Sequence, residues 1–249
     1  MTNRTLEKDR ATLHAVFAFA EELELREGNP VAKVRRAKAD VRDPIILTDD
    51  EYTALLDACR ESPMLYLYVL TLGETGARCE SEVLFLKWED IFLSEGFIRI
   101  QSGRDDHRTK SGRGRWVPLG EPLAVAMREH MAAYRMAGYG NLGRTKWVFH
   151  HLVARGHVRD GDRIASMRRG FKAAARTAGL SPSLHQHDLR HRRITKWLAE
   201  GKSPVLVKEA VGHADLRTTM GYTHLAKEHL KALVTCPQAA TGPEAVNLM

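Results

Sequence analysis

The chain has 249 residues and a formal net charge of +7, from 38 Lys and Arg against 31 Asp and Glu. This length can bury a core and form one large domain or two small ones. The moderate positive excess suits a polyanionic partner, although a basic solvated surface gives the same count. Three cysteines without C-x-x-C spacing predict neither a disulfide framework nor a zinc site. With no signal peptide and no long apolar run, we expect a cytoplasmic protein outside the membrane.

The first predicted element is a helix over residues 5–27, whose apolar side chains fall largely on one face. The run Gly28-Asn29-Pro30 ends this helix, because glycine and proline both disfavour its continuation. A basic connector follows, and residues 39–47 are predicted to be extended because Pro44 bars a regular helix. Four cations of this connector are candidate contacts for a polyanion such as a nucleic-acid backbone: Lys33, Arg35, Arg36 and Lys38.

A second unit begins at Thr48, where Thr48-Asp49-Asp50-Glu51 predicts a capping box at a helix start. The period changes to that of strands at 97–100 and 115–119, which a long turn at 103–114 separates. The helices predicted after the capped one are 64–73, 80–86, 121–136, 163–178, 188–200, 204–211 and 224–234. Gly179 and Gly201 are predicted as C-terminal stops.

This order of elements predicts an α+β fold that is mainly helical, with a small antiparallel sheet inserted in the second unit. A short helical segment precedes that unit. The tail over 236–249 contains proline and glycine without periodicity, and we expect it to be disordered.

His187 and Arg190 are three residues apart near a helix start, so they share one face. An imidazole and a guanidinium placed in this way can meet one phosphate, because the planar guanidinium binds two oxygens and keeps its charge. The alternative for this spacing alone is the polar face of an amphipathic helix. Asp188 is interpreted as a favourable charge at the helix N-terminus. His191 either orients its neighbours or faces solvent.

Arg78 follows a Thr75-Gly76 turn before a predicted helix, where a cation and the helix N-terminus together can bind an anion. Lys110 lies in the long turn, and a lysine beside a phosphate and a leaving oxygen can donate a proton. The alternatives are an ordinary surface arginine and a loop lysine that touches the DNA backbone.

Tyr222 comes nine residues after His213 and is flanked by Gly221 and Thr223, which favour an accessible phenol. A free phenol is a poor nucleophile because its pKa is near 10. Among Arg78, Arg190 and protonated groups, the phenolate form is expected to be favoured. For a lone tyrosine, the alternative is an ordinary core residue.

These motifs, taken in order, resemble those of the tyrosine recombinase (phage integrase) family over roughly Asn29 to Leu230. The matching stretches are Thr75-Gly76-Ala77-Arg78, Leu86-Lys87-Trp88-Glu89-Asp90, Thr109-Lys110-Ser111 before Val117-Pro118-Leu119, His187-Asp188-Leu189-Arg190, Gly212-His213 and Tyr222. The family pattern places an acid three residues after the first arginine, whereas Glu82 comes four residues after Arg78 and Ser81 holds the usual place. This offset leaves the role of Glu82 open.

The resemblance implies a catalytic set of Arg78, Lys110, His187, Arg190, His213 and Tyr222. In the implied reaction Tyr222 attacks a DNA phosphate, forms a 3′-phosphotyrosyl link and releases a 5′ hydroxyl. Arg78, Arg190 and His213 stabilise the phosphoryl oxygens, Lys110 protonates the leaving oxygen, and His187 assists proton transfer or holds the phosphate. No cofactor or metal is expected. The expected partner is double-stranded DNA, bound by a homotetramer of chains that are monomeric in solution.

The family carries a helical core-binding domain before the catalytic one, and the N-terminal residues resemble only its last one or two helices. The expected domains are a partial core-binding segment with a basic linker at 1–42, the integrase catalytic domain at 43–235 and the disordered tail at 236–249. An internal start, a decayed mobile element and a natural short form are the explanations left open.

The predicted function is a site-specific recombinase that integrates or excises a mobile element. One alternative is a truncated, recombination-deficient DNA-binding module, which the short N-terminal segment favours. Another is a type IB topoisomerase-like enzyme, which shares the chemistry, although the Gly-His and late Tyr motifs favour a recombinase.

Overall fold

The structure, a computed structural model, describes residues 3–37, 42–101, 112, 114–134, 145–154 and 156–223. The chain divides into two units, Met1–Pro44 and Ile45–Met249. The helix predicted at 224–234 and the tail at 236–249 lie outside the described residues, as does most of the turn at 103–114. The domain bounds given above stay a prediction.

The first unit contains helix α1, Asn3–Glu22. It ends five residues before the predicted end, because Glu24 adopts a left-handed conformation with φ 56°. The connector then folds back within this unit, where the Asn29 amide donates to the His14 carbonyl at 2.9 Å and the Ala37 N–H donates to Glu7 at 3.2 Å.

The second unit begins with the predicted capping box. The Thr48 hydroxyl accepts the Glu51 N–H at 3.2 Å, and the Glu51 carboxylate accepts the Thr48 N–H at 2.8 Å. Helix α2, Asp49–Ala58, follows directly. The prediction of the capping box from the sequence is therefore confirmed.

Helix α3, Pro63–Thr75, crosses the centre of the unit and is apolar on almost every side. It packs against α2 and against three later helices: α4, Glu121–Tyr134; α5, Arg168–Thr177; and α6, Gln186–Ala199. The buried core collects around it, with Leu67, Tyr68 and Leu72 among the most enclosed side chains. Gly76 ends the helix at φ 61°, a conformation that glycine adopts without steric cost.

Three antiparallel strands form one sheet in chain order: β1, Ile91–Phe92; β2, Phe97–Ile100; and β3, Arg115–Pro118. The pairing of Ile98 with Val117 places both of these side chains in the core. The adjacent pair Arg99 and Trp116 therefore lies on the opposite face, since successive side chains of a strand alternate.

Two helix predictions are wrong in part. Residues 80–86 form only a short 3₁₀ turn, Val83–Phe85, because the N–H groups of Val83 and Leu84 bond to carbonyls five residues back. The helix predicted from 163 begins at Arg168, because the Ile164 N–H bonds instead to the Phe149 carbonyl at 3.0 Å.

The C-terminal part of the described chain contains α7, Pro204–Val211, and α8, Leu216–Met220, of which the sequence pattern predicted only α7. The helix stops at Gly179 and Gly201 are confirmed, since their φ angles are 68° and 77°. No helix within the described residues combines the length and the hydropathy needed to span a membrane.

We expect Thr48→Ala to lower the free energy of unfolding by about 1 kcal/mol, because an N–H at the start of α2 loses its side-chain acceptor. Urea unfolding followed by circular dichroism measures this change. Thr53→Ala is the matched control, since the Thr53 hydroxyl donates to the Asp49 carbonyl inside the same helix. It should change stability by less than about 0.5 kcal/mol, and equal losses in the two variants would contradict the capping role.

Candidate active site

A cavity of about 340 Å³ opens in the second unit where α6 meets the segments that follow α3 and α7. Its lining comprises Arg78, His187, Arg190, Gly212, His213, Ala214, Thr218 and Tyr222. Five of the six predicted catalytic residues therefore share one cavity. Lys110 lies outside the described residues, as does Lys38.

The remaining candidate DNA-binding residues, Lys33, Arg35 and Arg36, are exposed in the first unit. They follow the turn that brings the connector back along α1. Their exposure leaves the charged groups available to a phosphate backbone.

Arg190 is buried in the wall of the cavity. Its guanidinium donates to the Gly76 carbonyl at 2.7 Å, and the left-handed turn at Gly76 presents that carbonyl to it. Burial, together with the positive charge of Arg78, lowers the pKa of Arg190 to about 10. The group is still charged at neutral pH and is held in a fixed direction.

Arg78 is fixed by a carboxylate to which the sequence assigned no role. The buried Glu82 accepts the Arg78 backbone N–H at 2.8 Å and its guanidinium at 2.5 Å. The second Arg78 nitrogen donates to the Gly212 carbonyl at 3.2 Å. The four-residue spacing is therefore no obstacle to pairing, because the wide turn at 78–84 brings Glu82 back to Arg78.

Arg115 on β3 is a second partner of Glu82 that the sequence interpretation missed. Its two terminal nitrogens donate to the two carboxylate oxygens at 2.9 and 2.7 Å, and its Nε donates to the Ala210 carbonyl at 2.8 Å. The strand alternation contained a signal, since Arg115 shares the inward face of β3 with Val117. Burial opposes ionisation of Glu82, but the bonds and charges of Arg115 and Arg78 outweigh it and lower its pKa to about 2.

The end of α7 lies against the guanidiniums of Arg78 and Arg115. Gly212 ends the helix at φ 70°, and a Cβ placed there would lie 2.9 Å from the Arg115 guanidinium. Glycine is therefore required both by the backbone conformation and by the close approach. The next residue, His213, is held by Thr219, whose hydroxyl lies 2.8 Å from the imidazole Nδ1.

Tyr222 is half-buried with its hydroxyl 2.7 Å from Nδ1 of His191. The two rings stack with centroids 5.4 Å apart, and the His213 ring lies on the phenol at 6.2 Å. His191 is therefore a further site residue, and its position four residues after His187 placed it on the same helix face. Of the two sequence interpretations of His191, orientation of its neighbours is the one that fits.

The expectation that the cations favour the phenolate in the unliganded protein is wrong. Burial raises the pKa of Tyr222 above its ordinary value, and the attraction of Arg190 offsets this only in part. The protonated groups of that expectation do not include His213. Desolvation and the charges of Arg190, Arg78 and Arg115 lower the pKa of His213 to about 4, so its ring is neutral at pH 7.

His187 is also neutral in this environment. Loss of hydration lowers its pKa first, and the neighbouring His191 and Arg190 lower it further. His187 is an exposed residue, so water offsets part of this effect. The unliganded site thus combines fixed guanidinium charges with neutral imidazoles and a protonated phenol.

The sequence of the chain matches the model of the phage integrase family over residues 46–229. The chain belongs to the phage integrase family. Tyrosine recombinase XerD of Halalkalibacterium halodurans is 30% identical over 233 residues, which cover 89% of this chain and 71% of that protein. Tyrosine recombinase XerA of Pyrococcus furiosus is 29% identical over 205 residues, which cover 81% of this chain and 65% of that protein.

Solved structures show the same fold. The crystal structure of XerA recombinase has a TM-score of 0.63 at 23% identity and covers 91% of this chain and 75% of its own. A lambda integrase(75-356) dimer bound to a COC′ core site has a TM-score of 0.67 at 20% identity and covers 99% of this chain and 78% of its own. The family resemblance and the mainly helical α+β fold class predicted from the motifs are confirmed.

Glu82→Gln should lower the free energy of unfolding at pH 7 by about 3 kcal/mol, because Arg78 and Arg115 lose the carboxylate that compensates their charges. The folded-state pKa of Glu82 is depressed, so its contribution is present above about pH 4.5 and is lost as pH falls towards 2. The difference between wild type and variant should therefore shrink on acidification. Urea unfolding at pH 7 and pH 3 measures it.

Glu129→Gln is the control for this experiment, because Glu129 is an exposed carboxylate on α4. It should leave stability within about 0.5 kcal/mol of wild type at both pH values. A Glu82→Gln variant that is equally destabilised at pH 7 and pH 3 would show that the carboxylate charge is not what holds the two arginines.

Proposed function

We propose that this chain is a site-specific DNA recombinase, which cuts and rejoins DNA strands through a covalent link to Tyr222. The observation that carries the proposal is the cavity itself, in which two guanidiniums, two imidazoles and one phenol face the same space. Such a set can hold a phosphodiester and attack it, because the guanidiniums supply charge and the phenol supplies a nucleophile.

The cleavage step follows from the positions of these groups. A scissile phosphate in the cavity meets Arg78 and Arg190, whose charges are fixed by Glu82 and by the Gly76 carbonyl. Both guanidiniums stabilise the charge that develops on the phosphoryl oxygens, with His213 as a further hydrogen-bond donor. Because these groups are held before the substrate arrives, little reorganisation is needed in the transition state.

The leaving group and the return step complete the proposal. Tyr222 becomes bonded to the 3′ phosphate and the 5′ oxygen leaves with a proton, which we assign to Lys110. His187 holds the phosphate or assists this transfer. Attack of a 5′ hydroxyl from a partner strand reverses the step and rejoins the DNA. The phosphotyrosyl link preserves the bond energy, so the cycle needs neither ATP nor a metal ion.

The proposed partner is double-stranded DNA at recombination sites, where two duplexes exchange strands. Exchange of four strands requires four active tyrosines, so we propose a homotetramer on DNA that assembles from monomers. The connector cations Lys33, Arg35 and Arg36 are assigned to the phosphate backbone, where each neutralised phosphate makes affinity more sensitive to salt. The proposed role is integration or excision of a mobile element, carried out in the cytoplasm.

Tyr222→Phe should abolish covalent adduct formation while DNA binding changes only a few-fold, since the substitution removes one hydroxyl. A nicked suicide substrate traps the adduct, which an SDS gel then resolves. Tyr66→Phe is the matched control, because Tyr66 lines a different cavity, and it should form adduct like wild type. Wild-type adduct should also form in EDTA. An SDS-resistant complex of the Tyr222→Phe protein would contradict the assignment of the nucleophile.

Arg190→Ala should reduce the cleavage rate by roughly two to three orders of magnitude, the usual loss when one stabilising donor is removed. Arg190→Lys should recover little of this rate, because a single ammonium cannot both bond the Gly76 carbonyl and grip two phosphate oxygens. Single-turnover cleavage measures both variants. Arg128→Lys, an exposed change on α4, is the control, and near-normal cleavage by Arg190→Lys would argue against the bidentate contact.

A further inference from the structure

The hydroxyl of Tyr222 has a hydrogen-bond partner that the family motifs do not assign. His191 Nδ1 lies 2.7 Å from the phenolic oxygen, which is a normal distance for such a bond. The two rings are inclined by only 29° with centroids 5.4 Å apart. The contact therefore fixes the ring of the nucleophile as well as its reacting atom.

The two other imidazoles of the site have different neighbours. Nδ1 of His213 is 2.8 Å from the Thr219 hydroxyl, and its ring lies across the phenol face at 6.2 Å. The rings of His187 and His191 are nearly perpendicular, with their centroids 4.9 Å apart. Among the three described histidines beside Tyr222, His191 is thus the one with a ring nitrogen within hydrogen-bond distance of the phenolic oxygen.

The phenol has to lose this hydrogen when it attacks phosphorus. Burial makes the loss harder, since it disfavours the charged phenolate. Arg190 attracts the phenolate but has no site to receive a proton, and neither has any other guanidinium. A base within hydrogen-bond distance is the group that can remove the proton as the new bond forms.

We propose that His191 is the catalytic base that takes the phenolic proton of Tyr222 during strand cleavage. This inference rests on the proposed function and refines it, because it separates the base from His187, which remains on the phosphate side. His191 touches the reacting oxygen itself, which distinguishes it from residues that act only by positioning others.

The proton and the electrons balance in both directions. The O–H bond of Tyr222 breaks, the proton moves to His191 Nδ1, and the electron pair stays on oxygen and forms the bond to phosphorus. The bond from phosphorus to the 5′ oxygen breaks, and that oxygen takes a proton from the general acid. In rejoining, the general acid that lost its proton takes the proton of the attacking 5′ hydroxyl. The oxygen of that hydroxyl bonds to phosphorus and displaces the phenolate, which recovers its proton from His191.

Charged and titratable groups surround this pair on all the elements that form the cavity. From α6 they are His187 and Arg190, from the segment after α3 Arg78, and from the segment after α7 His213. The two arginines stay charged throughout the neutral range, and the lowered pKa values keep His187 and His213 neutral there. The proposed base and the general acid Lys110 are therefore the groups left to shape the pH profile of cleavage, and a substitution of His191 alone separates the two.

His191→Asn provides the test, because asparagine keeps an acceptor near the Nδ1 position but cannot take a proton. At neutral pH we expect its single-turnover cleavage to fall about a hundredfold or more. Wild-type cleavage should level off once the imidazole is neutral. The variant should instead gain about tenfold per pH unit into the alkaline range, because hydroxide must then remove the proton from Tyr222.

His157→Asn is the matched control, since His157 is exposed and does not line the cavity. It should keep the wild-type rate and pH profile. A His191→Asn variant that cleaves like wild type, or one whose loss is the same at every pH, overturns the inference. If the wild-type protein forms no adduct at any pH, the proposed function itself is overturned. This outcome is distinct from a failure of the base assignment, in which wild type does form adduct.

A second measurement keeps the inference testable should His191→Asn fail to fold. Nitrogen NMR of the histidines reports which ring nitrogen carries the proton. We expect His191 to be protonated on Nε2 in the free protein, with Nδ1 accepting from Tyr222, and we expect Tyr222→Phe to shift the Nδ1 signal. A His191 ring protonated on Nδ1 cannot accept this hydrogen and would overturn the assignment.

Discussion

The buried carboxylate of Glu82 is the interaction on which the site depends. It bonds Arg78 and Arg115, and through Arg115 it ties strand β3 to the end of α7. A buried guanidinium is costly unless it is paired, so one anion allows two cations to be placed beside the cavity. The pairing also fixes their direction. Since one carboxylate faces Arg78, Arg115 and Arg190, the site retains net positive charge, which is what a phosphodiester requires.

Helix α6 joins this site to the core through its other arginines. Arg192 pairs with Asp49 at the start of α2, and Arg193 pairs with Glu74 near the end of α3. Arg190, on the same helix, donates to the carbonyl of Gly76, the residue that ends α3. Three buried arginines, Arg190, Arg192 and Arg193, thus anchor α6 to α2 and to α3 with its C-terminal turn. The catalytic face of α6 is therefore carried on a rigid element, which favours accurate placement of the substrate.

Local rules predicted much of the fold and most of the proposed catalytic set. The Thr48 capping box, the strands at 97–100 and 115–118 and the glycine stops depend on neighbouring residues, and the structure has them close to where they were predicted. Motif order alone named the residues that share the cavity. The pairing of Glu82 with Arg115 could not be predicted, because it joins residues 33 apart in the chain; strand alternation indicated only that Arg115 faces inward. The raised pKa of Tyr222 could not be predicted either, because it results from burial, which is a property of the folded chain.

The positive charges of the site do not by themselves ionise the nucleophile. The phenol of Tyr222 is protonated, and the imidazoles of His187 and His213 are neutral. A bound phosphodiester brings one negative charge, which offsets the guanidiniums and disfavours a phenolate still further. Cations alone therefore do not ionise the nucleophile when the substrate arrives. Proton removal has to be coupled to bond formation by a neutral base beside the hydroxyl, and a neutral base is compatible with the positive field that lowers the pKa of His187 and His213.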